Sequence, residues 1–215
     1  MLMDNVKQVF IVPYDKTTDI SNGFTRQKHD ASIWKKYNDI GKFIDIDVAN
    51  YNMAMQQITP FTIIKRGNKY LTTVFNQNGF EKLSIGIGNN IETQDGVSSP
   101  LFNGAVRTLL ESVNIDCLVP LIHVGTVRDK NKLPNYIGYV FVFNDIAESV
   151  VYKDKIAYKS GGCNYYTNNV DNHDKDDISY EIKGEWLTID ELINKYGKLD
   201  TWTRHIVSYL VDSDF

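Results

Sequence analysis

Apolar residues in this chain fall into short runs of strand length and two longer stretches with helical spacing. Val9-Phe10-Ile11-Val12 ends at Pro13 and predicts a short strand. Phe61-Thr62-Ile63-Ile64-Lys65-Arg66, the turn Gly67-Asn68-Lys69 and Tyr70-Leu71-Thr72-Thr73-Val74-Phe75 read as a β-hairpin. Ile137 to Phe143 is apolar almost throughout, which predicts a central strand buried on both faces. Cys117 to Gly125 is β-rich, and Val150 to Tyr158 has the composition of a further strand. Helical spacing appears from Leu101 to Val113, where Ala105, Leu109 and Val113 recur every four residues. It appears again from Leu199 to Val211, with Trp202, Ile206, Tyr209 and Leu210 on one side. Between these, Glu185 to Leu192 reads as a strand end followed by a helix, with Thr188 and Glu191 forming a capping box.

The polar stretches predict connections. Thr17 to Asn38 reads as irregular, Asn76 to Lys82 as a loop, and Val127 to Asn135 as a charged loop. Phe43 to Val48 alternates imperfectly, as an arm strand or a short amphipathic piece, and Ala49 to Gln57 has helical composition. Ser160 to Asp177 reads as an exposed loop; it lacks the glycine turn and terminal glutamate of a calcium loop.

Composition narrows the class. The 215 residues suffice for one sizeable core, and a formal charge of −4 without a basic stripe argues against general nucleic-acid binding. No apolar run is long enough for a membrane helix, and the N-terminus lacks the pattern of a signal peptide. Cys117 and Cys163 are far apart in sequence, which predicts a reduced, cytoplasmic protein with both thiols structural.

The chemistry concentrates between Leu83 and Ile115. Ser84-Ile85-Gly86-Ile87-Gly88 enters a glycine loop, and a polar loop with Asp95-Gly96 and Ser98-Ser99-Pro100 leads into the helix. Strand, glycine loop and helix is the layout of many phosphate-handling sites. Arg107-Thr108-Leu109-Leu110-Glu111-Ser112-Val113-Asn114-Ile115 resembles the tail of the Nudix box, Arg-Glu-apolar-x-Glu-Glu-x-Gly-apolar. Ser84 to Ile91 resembles the Ser-Ile-Gly-x-Gly-Gly-His-Ile segment that precedes the box in a bacterial phosphoesterase-like branch. The similarity spans roughly Ile58 to Leu210, through the hairpin before the box, Val124-Gly125-Thr126-Val127, Gly138-Tyr139-Val140-Phe141, Gly184 to Leu192 and Thr201-Trp202-Thr203.

The resemblance implies an α+β fold, a Nudix-like α/β/α sandwich with a mixed central sheet. Residues 58–215 would form it, and residues 1–57 would be an N-terminal extension packed on the core. Nudix hydrolases use magnesium or manganese to neutralise a diphosphate and activate water, and three glutamates on one helix face supply the ligands. The matching positions here are Thr108, Glu111 and Ser112; an earlier box glutamate falls at about Ser99. Two of the three helix carboxylates are therefore missing. The kept Arg107 has the family role of orienting the box through a salt bridge, and Asn114 in place of the last glycine tolerates the left-handed conformation of a helix end.

The resulting expectation is a catalytically impaired Nudix-fold protein. It would bind a nucleotide-like or phosphate-ester ligand, or a protein partner, without metal-dependent hydrolysis and with no cofactor; a homodimer is compatible. Arg66, Asn89, Asn90, Arg107 and Arg128 are the candidate ligand contacts. Glu111 is the one candidate catalytic or metal residue, with a solvated glutamate or an i,i+4 partner of Arg107 as its plainer readings. Asn89 and Asn90 could equally hold a turn. His123 is a strand histidine read as structural. The alternative is a divergent magnesium-dependent hydrolase of a nucleoside diphosphate derivative, combining Glu111 with acids such as Glu92, Asp95, Asp129 or Glu185. A third reading is a module that only docks a partner.

Overall fold

The computed structural model describes residues 7–27, 31–77, 80–96, 98–114, 120–146, 150–152 and 183–213. In chain order its elements are β1 (Gln8–Pro13), β2 (Gly23–Arg26), α1 (Ala31–Ile40), β3 (Lys42–Asp45), α2 (Ile46–Tyr51), β4 (Met55–Arg66), β5 (Lys69–Gln77), β6 (Phe80–Ser84) and β7 (Gly86–Gly88). They continue with α3 (Pro100–Ser112), β8 (Val113–Asn114), β9 (Ile122–Arg128), β10 (Tyr136–Asn144), β11 (Val151–Tyr152), β12 (Lys183–Thr188), α4 (Ile189–Asn194) and α5 (Thr201–Leu210).

The main sheet runs β12-β5-β4-β10-β9-β2, with β1 and β7 paired to β4 and β3 paired to β1. The central pair, β4 and β10, is parallel, with Tyr136 opposite Gln57 and Asn144 opposite Lys65. The other strand pairs among the described residues are antiparallel.

A strand at the middle of a two-layered core must be apolar on both faces, and β10 is. Tyr136, Val140 and Val142 face Trp202, Ile206, Val207 and Leu210 of α5. The alternate residues Ile137, Tyr139 and Phe141 share a core with Leu101 and Ala105 of α3. Phe143 joins Leu109 and Val113 farther along the same face. The mixed sheet therefore lies between α3 and α5, as the α/β/α expectation has it. Gly138 opens the space for Trp202: a Cβ there would stand 2.5 Å from the indole ring and 2.6 Å from Val127.

The helices begin where their caps dictate. Pro100 opens α3 at a position where its missing N–H costs nothing. Thr188 and Glu191 close the predicted capping box: Glu191 N donates to Thr188 Oγ1 at 3.3 Å and Thr188 N to Glu191 Oε2 at 2.8 Å. Asp200 caps α5 by accepting from the backbone N–H of Trp202 and Thr203.

The N-terminal part departs most from the sequence reading. Thr17 to Asn38 is not wholly irregular, because β2 pairs with β9 (Gly23 opposite Arg128) and α1 seats Tyr37 in the core beneath α3. Ala49 to Gln57 is not one helix. α2 ends at Tyr51, and Met55, Gln56 and Gln57 are drawn into β4 by pairing with Pro13, Val12 and Ile11. The boundary drawn between Gln57 and Ile58 falls inside β4. Asn76 to Lys82 is likewise strand at both ends, through β5 and β6. Most of Val150 to Tyr158, the loop from Ser160 to Asp177, Cys117, Cys163, His29 and His173 lie outside the described residues. Among the described residues no helix is long and apolar enough to cross a membrane.

Candidate functional site

The segment from Gly88 into α3 is built around one guanidinium. Arg107 projects from α3 back toward the loop and donates from Nε to Asp95 Oδ1 at 2.8 Å and from Nη2 to Asp95 Oδ2 at 3.0 Å. The same Nη2 donates to the Asn90 carbonyl at 2.8 Å. Nη1 donates to Glu111 Oε2 at 3.2 Å, and Glu92 Oε1 lies 3.7 Å away. Burial disfavours the charge, but Asp95, with Glu92 and Glu111, outweighs it and raises the Arg107 pKa above the ordinary arginine value. Asp95 has a second duty, accepting from the Glu92 backbone N–H at 2.8 Å. Gly104 makes this approach feasible, since a Cβ there would lie 3.0 Å from Asp95 Oδ2. From the other side β1 and the residue before it hold the loop: Lys7 Nζ is 2.9 Å from Glu92, and Phe10 N donates to the Ile91 carbonyl at 3.0 Å.

The positions that the Nudix resemblance gives to metal ligands are occupied differently. Thr108 is buried and its hydroxyl donates to the Gly104 carbonyl one turn back, at 2.8 Å. Ser112 is buried too. Glu111 is about half exposed, at 49%, and is the i,i+4 partner of Arg107. One carboxylate committed to an arginine and two neutral hydroxyls do not make a magnesium site, which needs several carboxylate or carbonyl oxygens. Among the described residues no three His, Cys, Asp or Glu side chains group as metal ligands would.

The other candidates take distinct places. Arg66 donates from Nε to Asp145 at 2.9 Å and from Nη2 to the Val150 carbonyl at 3.0 Å, and its guanidinium lies 4.0 Å from the centre of the Trp186 ring. Its Nε and Nη2 are thus engaged inside the protein, whereas all three nitrogens of Arg107 are. Asn89 and Asn90 are buried. Asn89 Oδ1 accepts from Asn90 N at 2.8 Å, which is the turn-holding role, while Asn90 Oδ1 is buried without a hydrogen-bond partner among the described residues. Arg128 is not a loop residue. It ends β9, fully buried. His123 stacks at 5.6 Å on Tyr139, edge-on to Phe141 at 5.5 Å.

The acids of the alternative reading are also engaged. Asp129 lies 3.1 Å from His205 Nε2 and accepts from the backbone of Asn131 and Lys132 at 2.9 Å each. Burial works against its charge, but these bonds win and its pKa falls below the ordinary aspartate value. Glu185 pairs with Lys195 at 2.9 Å. The sequence alone suggests Asp95 only as a substitute carboxylate for the divergent-hydrolase alternative. Its role as the chief partner of Arg107 had one signal, an acid in the loop ahead of a helix arginine, and that signal fixes no geometry.

No family model and no curated protein matches the sequence. Solved structures do. Tm1382, provisionally named a Nudix hydrolase, superposes with a TM-score of 0.69 at 18% identity, over 95% of this chain and 98% of that one. A Nudix hydrolase from Nitrosomonas europaea matches at 17% identity over 74% of this chain and 92% of that one, with a TM-score of 0.42. A bifunctional NMN adenylyltransferase/ADP ribose pyrophosphatase from Francisella tularensis, complexed with AMP and a manganese ion, matches at 12% identity over 73% and 41%, again at 0.42. The last two are too distant in shape to bear on the site. The first shows the fold: this chain has the architecture of a Nudix hydrolase.

Proposed function

We propose that this Nudix-fold chain binds a nucleotide-like or phosphate-ester ligand and does not hydrolyse it by the metal-dependent route of its fold relatives. The observation that carries the reading is the division within α3. The structural half of the box is intact, because Arg107 clamps the loop through Asp95 and the Asn90 carbonyl. The chemical half is reduced to Glu111, and that carboxylate faces Arg107. Activating water beside a diphosphate requires cations, and cations require carboxylates that Thr108 and Ser112 do not supply. The ligand class comes from the fold.

The runner-up is a divergent magnesium-dependent hydrolase. It would have to free Glu111 from Arg107, together with whichever acids join it: Asp95 from Arg107, Glu92 from Lys7, Asp129 from His205 or Glu185 from Lys195. That need makes it the weaker reading.

The test is a panel of nucleoside diphosphate compounds, followed for phosphate and nucleotide release with Mg²⁺ or Mn²⁺, beside thermal shifts with the same compounds in EDTA. The expected result is a raised Tm without metal, by mass action on the folded state, and no turnover. Metal-dependent turnover that Glu111→Gln abolishes would overturn the proposal. A chain stabilised by no member of the panel would leave a protein partner as the occupant of this face.

A further inference from the structure

Arg128 presents an electrostatic deficit. It is among the largest fully buried side chains, with no exposed surface. Buried guanidinium groups ordinarily face a carboxylate, because an uncompensated charge is costly to remove from water. Here Nη1 donates to the Thr17 carbonyl at 2.8 Å and Nη2 to Gln56 Oε1 at 2.9 Å, both neutral acceptors. The Tyr14 ring centre lies 5.2 Å from Cζ. Nε has no hydrogen-bond partner among the described residues. Burial lowers the Arg128 pKa; Tyr14, Tyr37 and, through space, the carboxylate of Asp19 oppose that shift without reversing it, and among the described residues no carboxylate forms an ion pair with the guanidinium, which stays charged.

A second orphan lies beside it. Thr126 is two residues back on β9, so its side chain points to the same face. It is buried, and its hydroxyl lacks a partner among the described residues. An unused guanidinium N–H and an unused hydroxyl thus share one face of one strand. Over Arg128 the outer layer is thin: Tyr14, Asp15 and Lys16 form one exposed turn with no buried residue, tied down through Thr17.

We propose that Arg128, with Thr126, is a metal-free anion site that takes a phosphoryl group when the turn at residues 14–17 lifts. This rests on the reading that the chain binds a phosphate-bearing ligand, and it names the group that replaces the missing cations. A phosphoryl group supplies a negative charge in direct contact, which the distant Asp19 does not, and enough acceptor oxygens for Nε–H and a hydroxyl together. Displacing the Thr17 carbonyl frees Nη1 as well, so opening the cover also widens the guanidinium fork.

The experiment uses the full chain in EDTA, titrated with inorganic phosphate, pyrophosphate and ADP and followed by Tm and by isothermal calorimetry, with sodium chloride at matched ionic strength as control. The expected result is saturable stabilisation by pyrophosphate and ADP, not reproduced by chloride. Arg128→Met loses that shift while melting at or above the wild type in ligand-free buffer, because it removes a buried charge that no carboxylate contacts. Arg128→Lys keeps the charge but not the fork and binds at least tenfold more weakly. Tyr14→Ala, on the exposed turn, binds pyrophosphate a few-fold more tightly because the cover opens more easily. Stabilisation of Arg128→Met equal to the wild type's overturns the site but leaves the binding reading standing, with its ligand elsewhere. Absence of any shift in the wild type overturns both. Should Arg128→Met not fold, undiminished binding by Arg128→Lys overturns the site alone.

Discussion

At the scale of single residues, burial ranks the three carboxylates around Arg107. The Asp95 side chain is 2% exposed and bonds the guanidinium with both oxygens, whereas Glu111 is half exposed and reaches it from 3.2 Å. Removing one partner of a buried pair strands the other charge and costs about 3–5 kcal/mol, while an exposed i,i+4 pair contributes about 0.5 kcal/mol or less. Asp95→Ala should therefore lower unfolding stability by about 3 kcal/mol and Glu111→Gln by about 0.5 kcal/mol or less. Urea unfolding curves of the two variants check the order; comparable losses would mean that the loop is held otherwise. This ranking was invisible in the sequence. Asp95 and Glu92 are both acids of one polar loop, and only the fold decides that Asp95 turns inward against Gly104. Arg128 was misread for a related reason. Beside Asp129 and Lys130 it looks like part of a charged loop, and only pairing with Gly23 makes it the last residue of a strand.

Among elements, those that carry their own apolar period were legible. β10, α3 and α5 formed where the pattern put them, and Thr188 capped α4 as its spacing to Glu191 predicts. Elements that depend on a neighbour were not. β2 has no fully buried residue, and its strand character comes from lying along β9. Met55 to Gln57 have no strand pattern of their own and are extended because β1 and β10 flank them. Packing between elements also sets the next prediction. A methyl group at Gly138 would push on Trp202 and Val127 together, in a part of the core where neither side chain is exposed. Gly138→Ala should cost about 1–3 kcal/mol, the usual range for overpacking. Gly197→Ala is the control: nothing lies within 4 Å of its added carbon, so its midpoint should barely move. Equal behaviour of the two variants in thermal melts would mean that α5 can shift away from β10 at little cost.

For the molecule as a whole, the N-terminal residues are part of the sheet. β1 joins β3 to β4, β2 continues the sheet beyond β9, and Thr17 covers Arg128. Deleting residues 1–27 should unpair one side of β9 and uncover a charged residue at its end. The truncated chain is expected to lose its cooperative unfolding transition, read by near-UV circular dichroism against denaturant. A truncated chain with a native-like transition would show that residues 28–215 suffice for the core.

The parallel pair at the centre of the sheet also sets a timetable. Tyr136 lies against Gln57, a separation of 136 − 57 = 79 positions. A chain leaving the ribosome can close the β4–β5 hairpin early, but β4 must wait for β10 before its long edge is covered. Closing a loop of that length costs about 2 kcal/mol more entropy than closing one of ten residues. During that wait β4 has β1, β5 and β7 as strand neighbours, and the edge that β10 will cover stays open. Slow commitment to the fold, with a sticky strand edge open meanwhile, follows from the same pairing that makes the finished sheet secure.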